Sequence, residues 1–290
     1  MFHFAGIDVY LHWSWFLLAF YGIQNRAGNY DSYLWPVLEY LSLFAIVTMH
    51  EFGHSLACRQ VGGRADQIVL WPFGGVAYVS PPPRPGATLW CIAAGPLVNV
   101  ALFPILSVVL HLARSWGWRS DMPNAYQFIT SLWWLDVGLL IFNLVPVYPL
   151  DGGQILQSLL WFVFGRARSL MIAASLGLVG VVGLLLLAWS EQSLWLGFIG
   201  LFILLNCWNG FQQARALARL AEAPKHQGLA CPACKEAPLI GPIWRCGQCQ
   251  KGFDVFDAHS ICPNCGAQIT AVPCTACGRV NPVGAFYPQV

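Results

Sequence analysis

Charge is scarce in this chain of 290 residues. Asp, Glu, Lys and Arg make up only 10% of it, against ~25% in an average soluble domain. Hydrophobic residues make up 57% and the mean hydropathy is +0.57, so most of the chain cannot face water. The formal net charge of +2 is too small to draw in nucleic acid or another acidic partner. No internal repeat and no low-complexity tract is present, which sets aside repeat architectures. Residues 1–8 lack a positive leader region, and no small-residue cleavage site follows the first apolar run, so no cleavable signal peptide is expected.

What is present is a series of apolar runs near the ~20 residues that a helix needs to cross a bilayer. Six are expected to span, at approximately Val9–Ile23, Leu34–Ala57, Ala87–Ala113, Tyr126–Val147, Leu170–Trp189 and Leu194–Phe211. The fold class expected is therefore a polytopic α-helical membrane protein. The stretch Gln154–Phe164 is too short to span and reads as a half-helix or interfacial segment, and Phe4–Tyr10 is compatible with an extended strand. With a cytoplasmic N-terminus the inner loops and tail hold eight basic residues (Arg59, Arg64, Arg84, Arg166, Arg168, Arg215, Arg219 and Lys225). The outer loops hold three, Arg26, Arg114 and Arg119. This bias predicts a multi-pass protein of the cell membrane with both termini cytoplasmic.

Inside the second run lies His50-Glu51-Phe52-Gly53-His54. Residues four apart share a helix face, so both imidazoles can bind one metal while Glu51 points to its side. The bland alternative is a polar helix face buried against its neighbours, but ionisable groups at membrane depth are costly and rarely idle. His50 lies sixteen residues past Leu34, about 24 Å along the axis, close to the cytoplasmic face. A hydrolytic zinc site needs a third protein ligand and an open position for water. Asp151 is the candidate, in Asn143-Leu144-Val145-Pro146-Val147-Tyr148-Pro149-Leu150-Asp151-Gly152-Gly153, where two prolines break the fourth span. The alternative role for Asp151 is a helix N-cap. Glu39 and Asp136 are the other acids within the spans.

With these residues in view, the chain resembles the site-2 protease family of intramembrane zinc metalloproteases, in its compact six-helix prokaryotic branch. The resemblance covers roughly residues 1–215. His50, Glu51 and His54 meet the family's His-Glu-x-x-His motif, and Asn143 through Gly152 meet its Asn-x-x-Pro-x-x-Pro-Leu-Asp-Gly motif at every fixed position. Between them stand a Gly-Gly turn, Phe73-Gly74-Gly75-Val76, and an Ala-Gly-Pro-x-x-Asn stretch, Ala94 to Asn99. The resemblance implies one catalytic zinc held by His50, His54 and Asp151, with Glu51 as base and a transmembrane protein segment as substrate. It places Asn99 near the site, holding substrate or the oxyanion; an interhelical hydrogen bond is the alternative.

A transmembrane substrate must be unwound, and its bared backbone needs partners in lipid. Ala65–Val79, rich in β-formers around a Pro/Gly turn, is expected to form a membrane-embedded hairpin whose edge accepts a substrate strand. The alternative is a re-entrant loop that only packs the site. His3, His12, His111 and His226 receive no functional reading, and Cys58, Cys91 and Cys207 are expected to pack as small apolar residues.

After Ala221 the composition changes. Four Cys-x-x-Cys pairs follow: Cys231/Cys234, Cys246/Cys249, Cys262/Cys265 and Cys274/Cys277. Such pairs supply knuckles for tetrahedral zinc, and neighbouring pairs are expected to form two structural zinc sites of four cysteines each. Disulfides are the alternative, disfavoured in a reduced cytoplasmic tail. The expected division is a transmembrane metalloprotease domain over 1–222 and a cytoplasmic double zinc-ribbon over 223–290, a possible docking point for a protein partner. Family relatives often carry a PDZ or nucleotide-sensing module instead, and the loop Ser80–Gly86 is too short for a PDZ insertion. Two other functions compete with proteolysis: a catalytically silent relative that binds membrane clients, and a zinc transporter or sensor.

Overall fold

The computed structural model describes residues 2–71 and 74–288. Pro72 and Phe73, at the turn of the expected hairpin, and Gln289 and Val290, at the end of the expected tail, lie outside the described residues. The chain divides into two compact units, Met1–Gln212 and Gln213–Val290.

In the first unit β1 (Phe2–Phe4) and β2 (Ile7–Leu11) precede α1 (Ser14–Ala27) and α2 (Leu34–Gln60). Then come β3 (Arg64–Trp71), β4 (Gly74–Ser80), α3 (Pro85–Ser115) and the single turn α4 (Trp118–Asp121). Three long helices complete it: α5 (Pro123–Leu144), α6 (Asp151–Ser190) and α7 (Leu194–Glu222), the last of which runs on into the second unit. Among the described residues, three helices are long and apolar enough to cross a membrane: α3, α5 and α6. Their outward faces stay apolar, with Val179 72% and Val163 76% exposed, as lipid-facing surface requires. Two of the three remaining expected spans differ for identifiable reasons. α2 is 27 residues long but carries Glu39, His50, Glu51 and His54. α1 has 14 residues, about 21 Å of helix against a ~30 Å hydrocarbon core.

The first span does not begin at Val9. Residues 7–11 form a strand because they find a partner: β2 pairs parallel with β3 in the register Asp8↔Gln67 through Leu11↔Leu70. β3 and β4 are more than a lone pair, since the four strands make one sheet in the order β1-β2-β3-β4. β1 pairs antiparallel with β2, and β3 antiparallel with β4. Alternate residues Ile7, Val9, Ile68 and Leu70 are buried on one face against Val47 of α2 and Trp15 of α1, with Leu43 and Phe44 beside them. The period of two in the strands and the helical spacing of α2 thus meet in one apolar cluster. Arg59 ties the end of α2 to the sheet, donating to the carbonyls of Ala5 (2.7 Å), Gly6 (2.6 Å) and Ala65 (2.9 Å).

α6 is interrupted at Gly165, whose φ of +76° and ψ of 168° suit only glycine. Residues 151–164 are a short leading helix and residues 166–190 a longer one. The preceding break follows Leu144, where Pro146 and Pro149 end α5. α7 holds this break in place: Cys207 Sγ donates to the Tyr148 carbonyl at 2.7 Å, and Gly210 leaves room for the Tyr148 ring.

The second unit contains two small hairpins, β5 (Trp244–Arg245) with β6 (Gly252–Phe253), and β7 (Ala271–Pro273) with β8 (Val280–Pro282). A short 3-10 turn, Val283–Phe286, closes it. Its core is shared: Trp244, Phe253, Val255, Phe256, Val272, Val283 and Phe286 are buried together with Cys231, Cys246, Cys262 and Cys274. His226 pairs with Asp254 (Nε2 to Oδ2, 3.0 Å), whose carboxylate also accepts from the amides of Gly241 and Phe256. This is a structural use that its sequence surroundings do not suggest.

Candidate metal centre

The site is built on one turn of α2. His50, Glu51 and His54 are each only 6% exposed, although all three are ionisable. Burial of such groups is tolerable only with partners, and each has one. His50 Nδ1 lies 2.7 Å from Asn99 Oδ1, and His54 Nδ1 lies 2.9 Å from the Cys91 carbonyl, both on α3. Those acceptors require the hydrogen on Nδ1 and leave the Nε2 lone pairs free. The two Nε2 atoms lie 3.1 Å apart. Asp151 completes the group, with Oδ2 at 3.0 Å from His50 Nε2 and 3.4 Å from His54 Nε2. It is the first residue of α6 and its carboxylate faces the imidazoles; Leu150 occupies the cap position and makes no side-chain capping bond.

These separations can be tested against a metal. Zinc bonds of roughly 2.0–2.1 Å in a tetrahedron hold N and O ligands about 3.3 Å apart. The three atoms are spaced so that they could hold one ion, and two imidazoles with one carboxylate match the donor set of a zinc site. Gly95 of α3 keeps the space beside these atoms open. A Cβ there would lie 2.3 Å from His54 Nε2 and 2.7 Å from His50 Nε2, inside the cluster. Close approach of α2 to α3 also depends on Gly53, whose Cβ would meet the Ala94 carbonyl at 2.6 Å. After Asp151, Gly152 and Gly153 let the start of α6 press onto the backbone of residues 144–148.

Glu51 is held from the sheet. The Ala77 amide of β4 donates to Glu51 Oε2 at 3.0 Å. Gly75 on the same strand has no room for a side chain, since its Cβ would lie 2.2 Å from Glu51 Cγ. Asn99 has both ends engaged: Oδ1 faces His50, and Nδ2 donates to Asp136 Oδ1 at 2.7 Å. That is the geometry of an interhelical hydrogen bond. Cys91, read from sequence as mere packing, contributes its carbonyl to His54. No residue-type signal could mark a backbone contact of that kind.

Glu39 has a separate role. It accepts from Arg26 (Nε to Oε2, 3.0 Å) and from the Tyr30 hydroxyl, tying α1 to α2, and Arg26 also reaches Ser131 of α5.

In the second unit the cysteines gather in two groups of four, but not as neighbours in sequence. Cys231 and Cys234 join Cys274 and Cys277, while Cys246 and Cys249 join Cys262 and Cys265. The expected pairing of adjacent knuckles is thus corrected to an outer set enclosing an inner one. The physical reason is the shared core, which brings the two ends of the unit together: the Ala230 amide donates to the Phe286 carbonyl at 2.9 Å. Sulfurs of opposite pairs lie 3.5–3.9 Å apart, near the about 3.8 Å edge of a zinc–sulfur tetrahedron and far beyond a disulfide. The thiols of each group are pushed in opposite directions: burial raises Cys234 to about 12, and at Cys265 the Ala267 amide lowers the thiol but the neighbouring sulfurs raise it to about 12. The Lys251 amide lowers Cys249 to about 6, and at Cys231, although burial pushes the thiol up, the amides of Cys234 and Ala233 bring it to about 7.

The fold and site together define a helical membrane protein with a two-histidine, one-carboxylate centre among its apolar helices. Residues 39–117 and 119–187, just over half of the chain, match Peptidase family M50, and the chain belongs to that family. It is 33% identical over 204 residues to a zinc metalloprotease of Methanocaldococcus jannaschii, a match covering 70% of this chain and 57% of that protein. A candidate zinc metalloprotease of Synechocystis sp. is 31% identical over 232 residues, covering 72% of this chain and 59% of that one. The chain thus spans less than two thirds of the length of these curated relatives. Among solved structures, the site-2 protease from Methanocaldococcus jannaschii is similar with a TM-score of 0.52 and 26% identity, over 73% of this chain and 94% of that chain.

The cradle at Gly95 generates a direct test. Gly95→Ala removes no ligand, yet it should cost the site its metal, because the new methyl takes the ion's place. Metal analysis of the purified full chain should show one ion fewer than wild type; an unchanged content would mean that the ion does not sit between His50 and His54.

Proposed function

We propose that this chain is an intramembrane zinc metalloendopeptidase that cleaves transmembrane segments of other membrane proteins. The observation that carries the reading is the convergence of His50 Nε2, His54 Nε2 and Asp151 Oδ2 at one metal's span, with Glu51 on the same helical turn. Zinc held by these residues would supply Lewis acidity and lower the pKa of its water toward ~7. Glu51 accepts the proton of the attacking water and passes it to the leaving amine. The Ala77 amide holds one Glu51 oxygen and so fixes which way the carboxylate faces.

β4 is an outer strand of its sheet, and Glu51 hydrogen-bonds to that strand. An extended substrate strand laid along β4 would regain the hydrogen bonds lost when a helix unwinds in lipid, and would pass the centre. Substrate recognition is thus assigned to the β3–β4 hairpin, embedded in the membrane. The chain is read as six-spanning, with both termini cytoplasmic and the centre near that face.

Neither competing function has support of this kind. A silent relative should lack a ligand or the base, and all four residues are in place. A transporter needs a route of ionisable groups, yet Glu39 is bound to Arg26 and Tyr30, and Asp136 to Asn99. The tail over 223–290 is assigned two structural zinc ions, one in each cysteine group, and a protein partner on the cytoplasmic side. Its five basic and three acidic residues from Pro224 onward make no basic stripe for nucleic acid.

Glu51→Gln should keep the zinc of the centre and lose peptide cleavage, since the ligands remain and the base is gone. Turnover of a transmembrane substrate at the wild-type rate would refute the mechanism. In the tail, Cys246→Ser with Cys249→Ser should release the inner zinc and, through the common core, also open the outer site to chelator and the whole tail to protease. Loss confined to one zinc, with the other site fully protected, would show two independent lobes. Tags at the N- and C-termini should both be labelled only from the cytoplasmic side; labelling of either from outside would overturn the topology.

A further inference from the structure

Behind His50 lie two buried side chains that the proposed chemistry does not use. Asp136 on α5 and Asn99 on α3 are both 0% exposed. Asp136 Oδ1 accepts from Asn99 Nδ2 at 2.7 Å, and Asn99 Oδ1 lies 2.7 Å from His50 Nδ1. Asp136 Oδ2 has no hydrogen-bond partner. An unpartnered carboxylate oxygen between apolar helices is costly, and a neutral apolar residue would pack there without that cost. The arrangement therefore needs a reason beyond packing.

The reason lies in direction. An amide has a donor end and an acceptor end and can turn over by 180°. The Asp136 carboxylate accepts, so it draws the NH2 end of Asn99 toward α5. The carbonyl end must then face His50, which obliges His50 to carry its hydrogen on Nδ1 and to present the Nε2 lone pair to Asp151 and His54. If the amide were reversed, it would donate to Nδ1. The hydrogen would move to Nε2, and that atom could no longer ligate. We infer that Asp136 is a positioning residue that sets the orientation of Asn99, and through it the tautomer of His50 that binds the metal. The sequence alone shows Asp136 only as an acid in an apolar run, 37 residues from Asn99 and 86 from His50.

This inference rests on the metal reading of His50, His54 and Asp151, and the experiment separates the two. Full-length protein is purified in detergent and equilibrated in zinc buffers of graded free concentration, and bound zinc is counted. The cysteine sites serve as an internal reference. Substituting a partner behind a ligating histidine typically weakens metal affinity by ~10–100-fold, and Asp136→Leu should move the midpoint of the histidine site by that factor while leaving the cysteine sites unmoved. The exchanged pair Asn99→Asp with Asp136→Asn restores the direction of both hydrogen bonds, because residue 99 then accepts from His50 and from residue 136. It should return the midpoint to within a few-fold of wild type, and it keeps the test available if Asp136→Leu does not fold. An unchanged midpoint in Asp136→Leu, or an exchanged pair that binds as weakly as Asp136→Leu, overturns the inference. A control, His50→Ala with His54→Ala, should bind one zinc fewer than wild type. If it does not, the metal reading of the site fails and the positioning role falls with it.

Discussion

In an apolar, water-poor interior every polar group must find its partner in the protein itself. Around His50 this requirement organises four elements at once. α2 supplies two imidazoles and a carboxylate, α3 supplies the Asn99 amide and the Cys91 carbonyl, α6 begins with Asp151, and β4 sends an amide to Glu51. Moving any one of these elements would leave a buried polar atom of another without a partner. The site and the fold around it are therefore a single hydrogen-bonded arrangement, and cannot be separated into a scaffold and an attached centre.

Polar groups on different helices meet only if the helices come close, and here closeness is set by missing side chains. Gly53 and Gly95 let α2 and α3 approach at the level of the ligands, Gly75 lets β4 lie against Glu51, and Gly152 and Gly153 seat the start of α6. Two prolines end α5 just before Asp151, so the third ligand arrives on a fresh helix start that α7 secures through Tyr148. Rigid placement of this kind is what the proposed hydrolytic centre would need, because its ligand geometry would have to be in place before ion and substrate arrived.

The tail solves a different problem. With few apolar residues it cannot support two separate cores, and it pools them: Trp244, Phe256 and Phe286 lie in one cluster with a cysteine from each of the four knuckles. Interleaving follows from pooling. A chain that returns on itself to build one core places its first knuckle beside its last, so each group of four cysteines draws on both halves of the unit.

The residues of the centre are legible in the order of amino acids alone. A histidine pair at helical spacing, an Asp-Gly after two prolines and eight cysteines in four pairs are local patterns, each tied to the chemistry of its own side chains. Apolar runs likewise announce a helical membrane protein. What local pattern cannot reach is decided in three dimensions. Residues 7–11 become a strand because β3 offers a parallel partner far along the chain, and a run that reads as the start of a helix has no means of showing that. Asn99 turns its two ends to His50 and Asp136, and Cys91 lends a carbonyl whose availability depends on backbone placement alone. The cysteine knuckles are plain in sequence while their partnership is not, since spacing determines which sulfurs form a knuckle and only the closure of a common core determines which knuckles meet. Side-chain chemistry is written residue by residue, whereas pairing between distant segments is settled by which arrangement buries the apolar surface and leaves the fewest polar atoms alone.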